Sequence, residues 1–175
     1  AHLVDRIKLS EKSVRSIAVN RLLNEVAIGY SDNYIRVLSL HDFSQKYAFQ
    51  AHGNSVFTLQ YTPDSHYLIS GSRDARIKTW DAVGGYKLVN EVVAHMFAIN
   101  HMAFSPDGRH FVTGSMDKSI KVWEAESQKL VKVIDKSRHA GHGTSVNKLL
   151  WSSHENQVIS ASDDRTISIW NIMFE

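Results

Sequence analysis

The 175-residue chain carries 20 basic and 18 acidic residues, a formal net charge of +2, and no cysteine. A balance that close, with no long block of either sign, provides no field to draw nucleic acid or an acidic lipid surface, so neither is expected as a partner. The absence of thiols excludes a disulfide framework and a thiolate metal site, and no apolar run reaches the roughly 20 residues of a membrane span. The N-terminal stretch AHLVDRIKLS has no signal-peptide core, a reducing compartment is compatible, and a cytoplasmic setting is the expectation. The chain starts at Ala1 rather than Met, which suggests a processed or excised piece.

Residues 3–9 (LVDRIKL) alternate apolar and polar side chains, the pattern of an edge strand with one buried face. Residues 14–19 follow with apolar side chains at the first, fourth and sixth positions, and so do 56–61, 99–104 and 146–151. Strict alternation cannot place positions one and four on the same face; one extra residue, a β-bulge, restores the phase. Turns come next at 20–24, 62–66 (TPDSH), 105–109 (SPDGR) and 152–156, where Pro presets φ and Gly accepts positive φ.

After each turn comes a hairpin. Residues 68–81 read LISGSRDARIKTWD, 111–124 FVTGSMDKSIKVWE and 158–171 VISASDDRTISIWN, with a fainter copy at 26–39, VAIGYSDNYIRVLS. Runs of β-formers around a polar turn read as paired strands. Stretches resembling 3–9 follow three of the hairpins, at 46–49, 87–93 and 129–134. Asp32, Asp74, Asp117 and Asp164 close the hairpin turns at intervals of 42, 43 and 47 residues, the period of a four-stranded propeller blade. The expected fold is therefore all-β: a β-propeller of four-stranded antiparallel blades, four per chain, spanning 1–175. The last repeat lacks an outer strand and 3–9 is spare, so the N-terminal strand is expected to close a blade begun by a C-terminus.

Counting from each Asp, a His lies 22 residues before, a Ser or Thr four before and a Trp six after. The sets are His52, Ser70, Asp74 and Trp80; His95, Thr113, Asp117 and Trp123; and His142, Ser160, Asp164 and Trp170. Ser, His and Asp together invite a hydrolase reading, but threefold repetition argues for a task done once per blade. Donor and acceptor counts permit a chain from Trp to hydroxyl to His to Asp, a structural network. The first repeat has Ser10, Ile28 and Leu38 in place of the His, hydroxyl and Trp and retains Asp32, so apolar packing is expected to replace the network there. No catalytic residue is assigned. His139 and His142 form an HxxH without a third ligand, so no metal or other cofactor is expected.

These sets, the SPDG-type turn and the closing pair Trp80-Asp81, varied to Trp123-Glu124 and Trp170-Asn171, resemble the WD-repeat family of β-propellers over essentially the whole chain. The Gly expected before the His is present only at Gly141. The resemblance implies a non-catalytic scaffold that binds proteins or peptides on the face carrying the His loops. It also implies more blades than four. The favoured arrangement is a homodimer by strand exchange, giving eight blades; the alternatives are a fragment of a longer seven- or eight-bladed protein with an architectural role, a closed four-bladed ring and, last, an enzyme working in the central cleft.

Strand direction places the residues flanking each bulge and the residue before each Asp on one rim. Those candidates for partner binding are Ser13, Arg15 and Ser31; Ser55, Phe57 and Arg73; Ala98, Asn100 and Met116; Ser145, Asn147 and Asp163. Phe57, Arg73 and Met116 lead, because aromatic, Arg and Met side chains are enriched at binding hot spots and adaptable interfaces.

Overall fold

A computed structural model describes residues 1–174. Among them are 15 strands and one short helix, arranged as four antiparallel sheets in chain order. The first contains β1 (Val14–Asn20), β2 (Glu25–Tyr30), β3 (Tyr34–Ser39) and β4 (Gln45–Gln50). The second contains β5 (Val56–Tyr61), β6 (Tyr67–Ser72), β7 (Arg76–Asp81) and β8 (Lys87–Val93). The third contains β9 (Ile99–Phe104), β10 (His110–Ser115), β11 (Ile120–Glu124) and β12 (Leu130–Ile134). After α1 (Lys136–His139), a single turn capped by Asp135, the fourth contains β13 (Val146–Trp151), β14 (Gln157–Ser162) and β15 (Ile167–Asn171). Each sheet is one blade of a β-propeller, and consecutive first strands lie side by side.

The blades bury their apolar faces against one another, so the core is three separate cores, one per junction. Ala27, Ile35 and Val37 of blade 1 pack on Val56, Leu59, Leu68 and Trp80 of blade 2. Ile69 and Ile77 pack on Ile99, Met102, Phe111 and Trp123 of blade 3. Val112, Ile120 and Val122 pack on Val146, Leu149, Trp151 and Val158 of blade 4. A second strand is covered on both faces, which is why β6 and β10 read as unbroken apolar and small runs rather than alternating ones. At Gly71 a Cβ would lie 2.9 Å from Ile99 Cγ2, so the absent side chain lets blade 3 approach.

Every first strand carries a bulge: the pairing register slips at Arg15, Phe57 and Asn147, and at Asn100 opposite the step from Gly114 to Ser115. Among the described residues blade 4 has three strands, and none pairs with the outer edge of β15. Residues 3–9, expected as an edge strand, form none here and stay mostly exposed. Their alternation suits an edge, but a strand needs a partner, and the free edge lies at the opposite end of the arc.

The end faces are open. Val14 and Ile17 are 57% and 65% exposed, whereas their equivalents Val56 and Leu59 are 0% and 5%. At the other end Ile167 and Ile169 are exposed, although the matching Ile120 and Val122 are buried.

Candidate interaction rim and its supports

The turns that end in Asp and the loops that precede each first strand meet at one end of every blade, tied by side-chain hydrogen bonds. In blade 2, Trp80 Nε1 donates to Ser70 Oγ (2.9 Å), Ser70 Oγ lies 2.8 Å from His52 Nε2, and His52 Nδ1 lies 3.0 Å from Asp74 Oδ2. Blade 3 repeats this with Trp123, Thr113, His95 and Asp117 at 2.9, 2.8 and 2.8 Å. In blade 4 Trp170, Ser160, His142 and Asp164 give 2.9, 2.8 and 2.9 Å. A carboxylate only accepts, so the ring proton belongs on Nδ1 and Nε2 accepts from the hydroxyl.

Each Asp also accepts backbone N–H groups: Asp74 takes those of Gly53 (2.9 Å) and Arg76 (3.0 Å), sewing the loop to the turn. Burial disfavours ionisation of Asp74, yet the hydrogen bonds from His52 and Gly53 outweigh it and hold the carboxyl at about 2. Asp117 is held low in the same way, burial again opposing and His95 prevailing, and the Thr166 hydroxyl leads the effect at Asp164. Burial pushes His95 below the ordinary imidazole value despite the pull of Asp117. The Ser–His–Asp spacing is that of a catalytic triad, but the Ser70, Thr113 and Ser160 hydroxyls are fully buried and engaged on both sides, so no substrate reaches them.

Blade 1 corrects the expectation of apolar replacement. Leu38 is buried in place of the Trp, but Ser10 Oγ donates to Asp32 at 2.7 Å, and Arg36 pairs with Asp32 at 2.8 Å while its own guanidinium stacks 4.6 Å from the Tyr30 ring. A shorter side chain and a cation take over the work of the His.

The rim candidates divide by depth. Ser13, Arg15, Arg73, Met116 and Asp163 are exposed, and Ser31, Phe57, Asn100, Ser145 and Asn147 are half-buried. Ser55 and Ala98 are buried, which corrects their assignment to the partner surface: their carbonyls accept the Arg73 and Met116 N–H groups, so the turns are tied directly to them. Phe57 lies 5.8 Å under the Arg15 guanidinium, and Arg15 Nε donates to Ser31 Oγ at 2.7 Å. Asn100 serves the junction rather than solvent, donating to Ser145 Oγ and the Val146 carbonyl at 2.9 Å each.

A family profile described as "WD domain, G-beta repeat" matches residues 43–81, 86–124 and 131–171. The chain belongs to the WD-repeat family. Curated relatives include the mouse "Periodic tryptophan protein 2 homolog", 29% identical over half of this chain and 10% of that protein. The chicken "Serine-threonine kinase receptor-associated protein" is 28% identical over 70% of this chain and 33% of that protein. The Dictyostelium discoideum "DDB1- and CUL4-associated factor 13" is 37% identical over 34% of this chain and 13% of that protein. The chain thus spans between a tenth and a third of these relatives' own length.

Two features of this WD-repeat arc fall outside the bulge-and-turn frame. The two residues after each network His are Gly53-Asn54 and Gly143-Thr144, with Glu11-Lys12 matching in blade 1, but blade 3 places Met96-Phe97 there, both exposed. A comparison of repeats position by position reveals them. The second feature clamps blade 1 to blade 2: Tyr61 and Tyr86 hydroxyls meet at 2.6 Å, Tyr86 donates to the buried Glu25 carboxylate at 2.7 Å, and Lys46 pairs with Glu25. Burial pushes both phenols above their usual range.

A groove of about 570 Å³ lies between blades 2 and 3 at the turns around Pro63 and Gly108, away from the rim. Its Asp64 and Asp107 are occupied by their own turns. No cluster of three or more metal-binding side chains occurs among the described residues, and His139 stands exposed apart from the network of His142.

Proposed function

We propose that this chain is an arc of a non-catalytic WD-repeat scaffold that holds a protein or peptide along the loop rim. The observation that carries it is the rigidity of the rim: in blades 2 to 4 the loop and turn are sewn together by a buried network that leaves the side chains outside it free to meet a partner. The relatives support association over chemistry, since one is named for association with a serine-threonine kinase receptor and another for association with DDB1 and CUL4. Panning a random peptide library on the immobilised protein tests the reading. Enriched peptides are expected to lose binding when Arg73→Glu and Asp163→Lys are combined; binding that ignores rim substitutions contradicts the proposal.

The arc is completed, in this proposal, by a second copy placed head to tail. The face of Val14 and Ile17 has the same chemistry as the faces that meet at each internal junction, and so has the face of Ile167 and Ile169, so each end suits the other. Residues 3–9 then supply the fourth strand along β15 of the neighbour. Deleting residues 1–9 is expected to weaken the dimer. The short share of the relatives' length favours a second reading, in which further blades of the same polypeptide cover both ends.

A further inference from the structure

The rim of blade 3 differs from the other three in one respect. Met96, Phe97 and Met116 are 82%, 59% and 50% exposed. The matching positions hold Glu11, Lys12 and Ser31 in blade 1, Gly53, Asn54 and Arg73 in blade 2, and Gly143, Thr144 and Asp163 in blade 4. The three side chains form one patch. Met116 N–H donates to the Ala98 carbonyl (3.0 Å), Met96 N–H to Asp117 (3.1 Å), and the Phe97 carbonyl accepts from Ser115 Oγ (3.2 Å).

Closing the ring leaves this patch uncovered. Blade 3 already has neighbours on both faces, with Ile99 and Val146 filling the junctions below, so no added blade reaches its rim. The backbone under the patch is pinned, so a partner that docks there loses little loop entropy. Two cations beside the patch have no partner among the described residues, whereas Asp163, at the matching turn of blade 4, accepts from Asn147. Lys118 occupies the same turn, and Arg73 stands two residues past Gly71, whose position abuts Ile99 at the base of the patch. Neither side chain has a hydrogen bond or ion pair among the described residues, whereas Asp117 is spent on the network.

We infer that blade 3 anchors a linear peptide segment through a bulky apolar side chain seated on Met96, Phe97 and Met116, with acidic residues beside that anchor meeting Arg73 and Lys118. This rests on the scaffold reading and names its partner chemistry. Large apolar side chains supply the contact area, two methionines adapt to the shape of the anchor, and the flanking cations select acidic neighbours.

The library selection described above tests it with two additional variants, Phe97→Ser with Met116→Ser, and Arg73→Glu with Lys118→Glu. Enriched peptides are expected to combine an aromatic or Leu residue with Asp or Glu within a few positions. A labelled synthetic copy of the strongest should bind at least tenfold more weakly to the first variant, and weaken with salt on the wild type but much less on the second. Near-native thermal melts of both variants would show that folding is intact. Peptides that are basic, or that bind the Phe97→Ser, Met116→Ser protein as well as the wild type while losing binding with Asp163→Lys, overturn this inference and leave the scaffold reading standing. If no peptide is enriched on the rim, both fall.

Discussion

The same side chains have opposite fates in the middle of the arc and at its ends. Val56 and Leu59 vanish into the first junction, while Val14 and Ile17, at the same positions of the same strand type, face solvent. Nothing local distinguishes them: the bulges match and the strands pair alike. What differs is the presence of a neighbouring blade. Burial in a repeat protein thus belongs to the junction, and an uncovered face marks a place where another blade fits.

The largest contrast comes from one substitution made twice. Leu59→Asp places a carboxylate in the closed first junction and should cost about 4 kcal/mol or more, enough to unfold a domain of ordinary stability, as followed by circular dichroism in urea. Ile17→Asp changes the matching residue on the open face and, at a protein concentration low enough to keep the arc monomeric, should leave its unfolding free energy within about 0.5 kcal/mol of wild type. Similar losses at both sites would show that the end face is already covered.

Next in size is the network. His95→Ala strands the Thr113 hydroxyl and part of the Asp117 carboxylate inside the protein and should cost about 3 kcal/mol. Asp32→Ala removes the partly exposed pairing of Ser10 and Arg36 and should cost about 1 kcal/mol. Replacing His95, Thr113 and Trp123 together with Leu, Val and Phe should cost less than the three single losses combined, since only Asp117 then loses a partner and it keeps the N–H groups of Met96 and Ser119. Additive losses would break the picture of one linked chain.

A smaller effect depends on pH. His101 at the third junction accepts a hydrogen bond from Leu149 N–H at 3.3 Å, and burial, with Lys148 nearby, lowers it to about 4. The unfolded chain binds the proton more readily, so stability falls as pH drops from 6.5 towards 4, by about 2 kcal/mol after allowance for partial solvent contact. Asp74 adds a second loss at lower pH, as the medium passes from 3.8 towards 2 and the carboxyl that accepts from His52 is protonated. His101→Gln keeps an acceptor and should flatten the upper part of this pH profile in thermal melts; an unchanged slope would contradict the assignment.

Features with a period were legible in the sequence. Apolar residues at the first, fourth and sixth positions called for one extra residue near the start of each first strand, where the bulges fall at Arg15, Phe57, Asn100 and Asn147, and the regular spacing of His, Ser or Thr, Asp and Trp marked the side chains that meet in blades 2 to 4. Features without a period were not. Glu25 and Tyr86 stand 61 residues apart and have no counterparts in other repeats, so their clamp has no sequence signal. Strand direction put Ser55 and Ala98 at the correct end of their blades but did not reveal their depth beside the turns tied to them. The alternation in residues 3–9 describes an edge strand, yet pairing is decided by where a free edge lies.

The decisive measurement is the mass in solution, by size-exclusion chromatography with light scattering at micromolar concentration. Twice 19.8 kDa is predicted for the wild type, falling to 19.8 kDa for Ile17→Asp and for Ile167→Asp with the β-sheet signal retained. A wild-type chain that stays folded as a 19.8 kDa monomer would contradict the claim that the two ends of the arc cover each other.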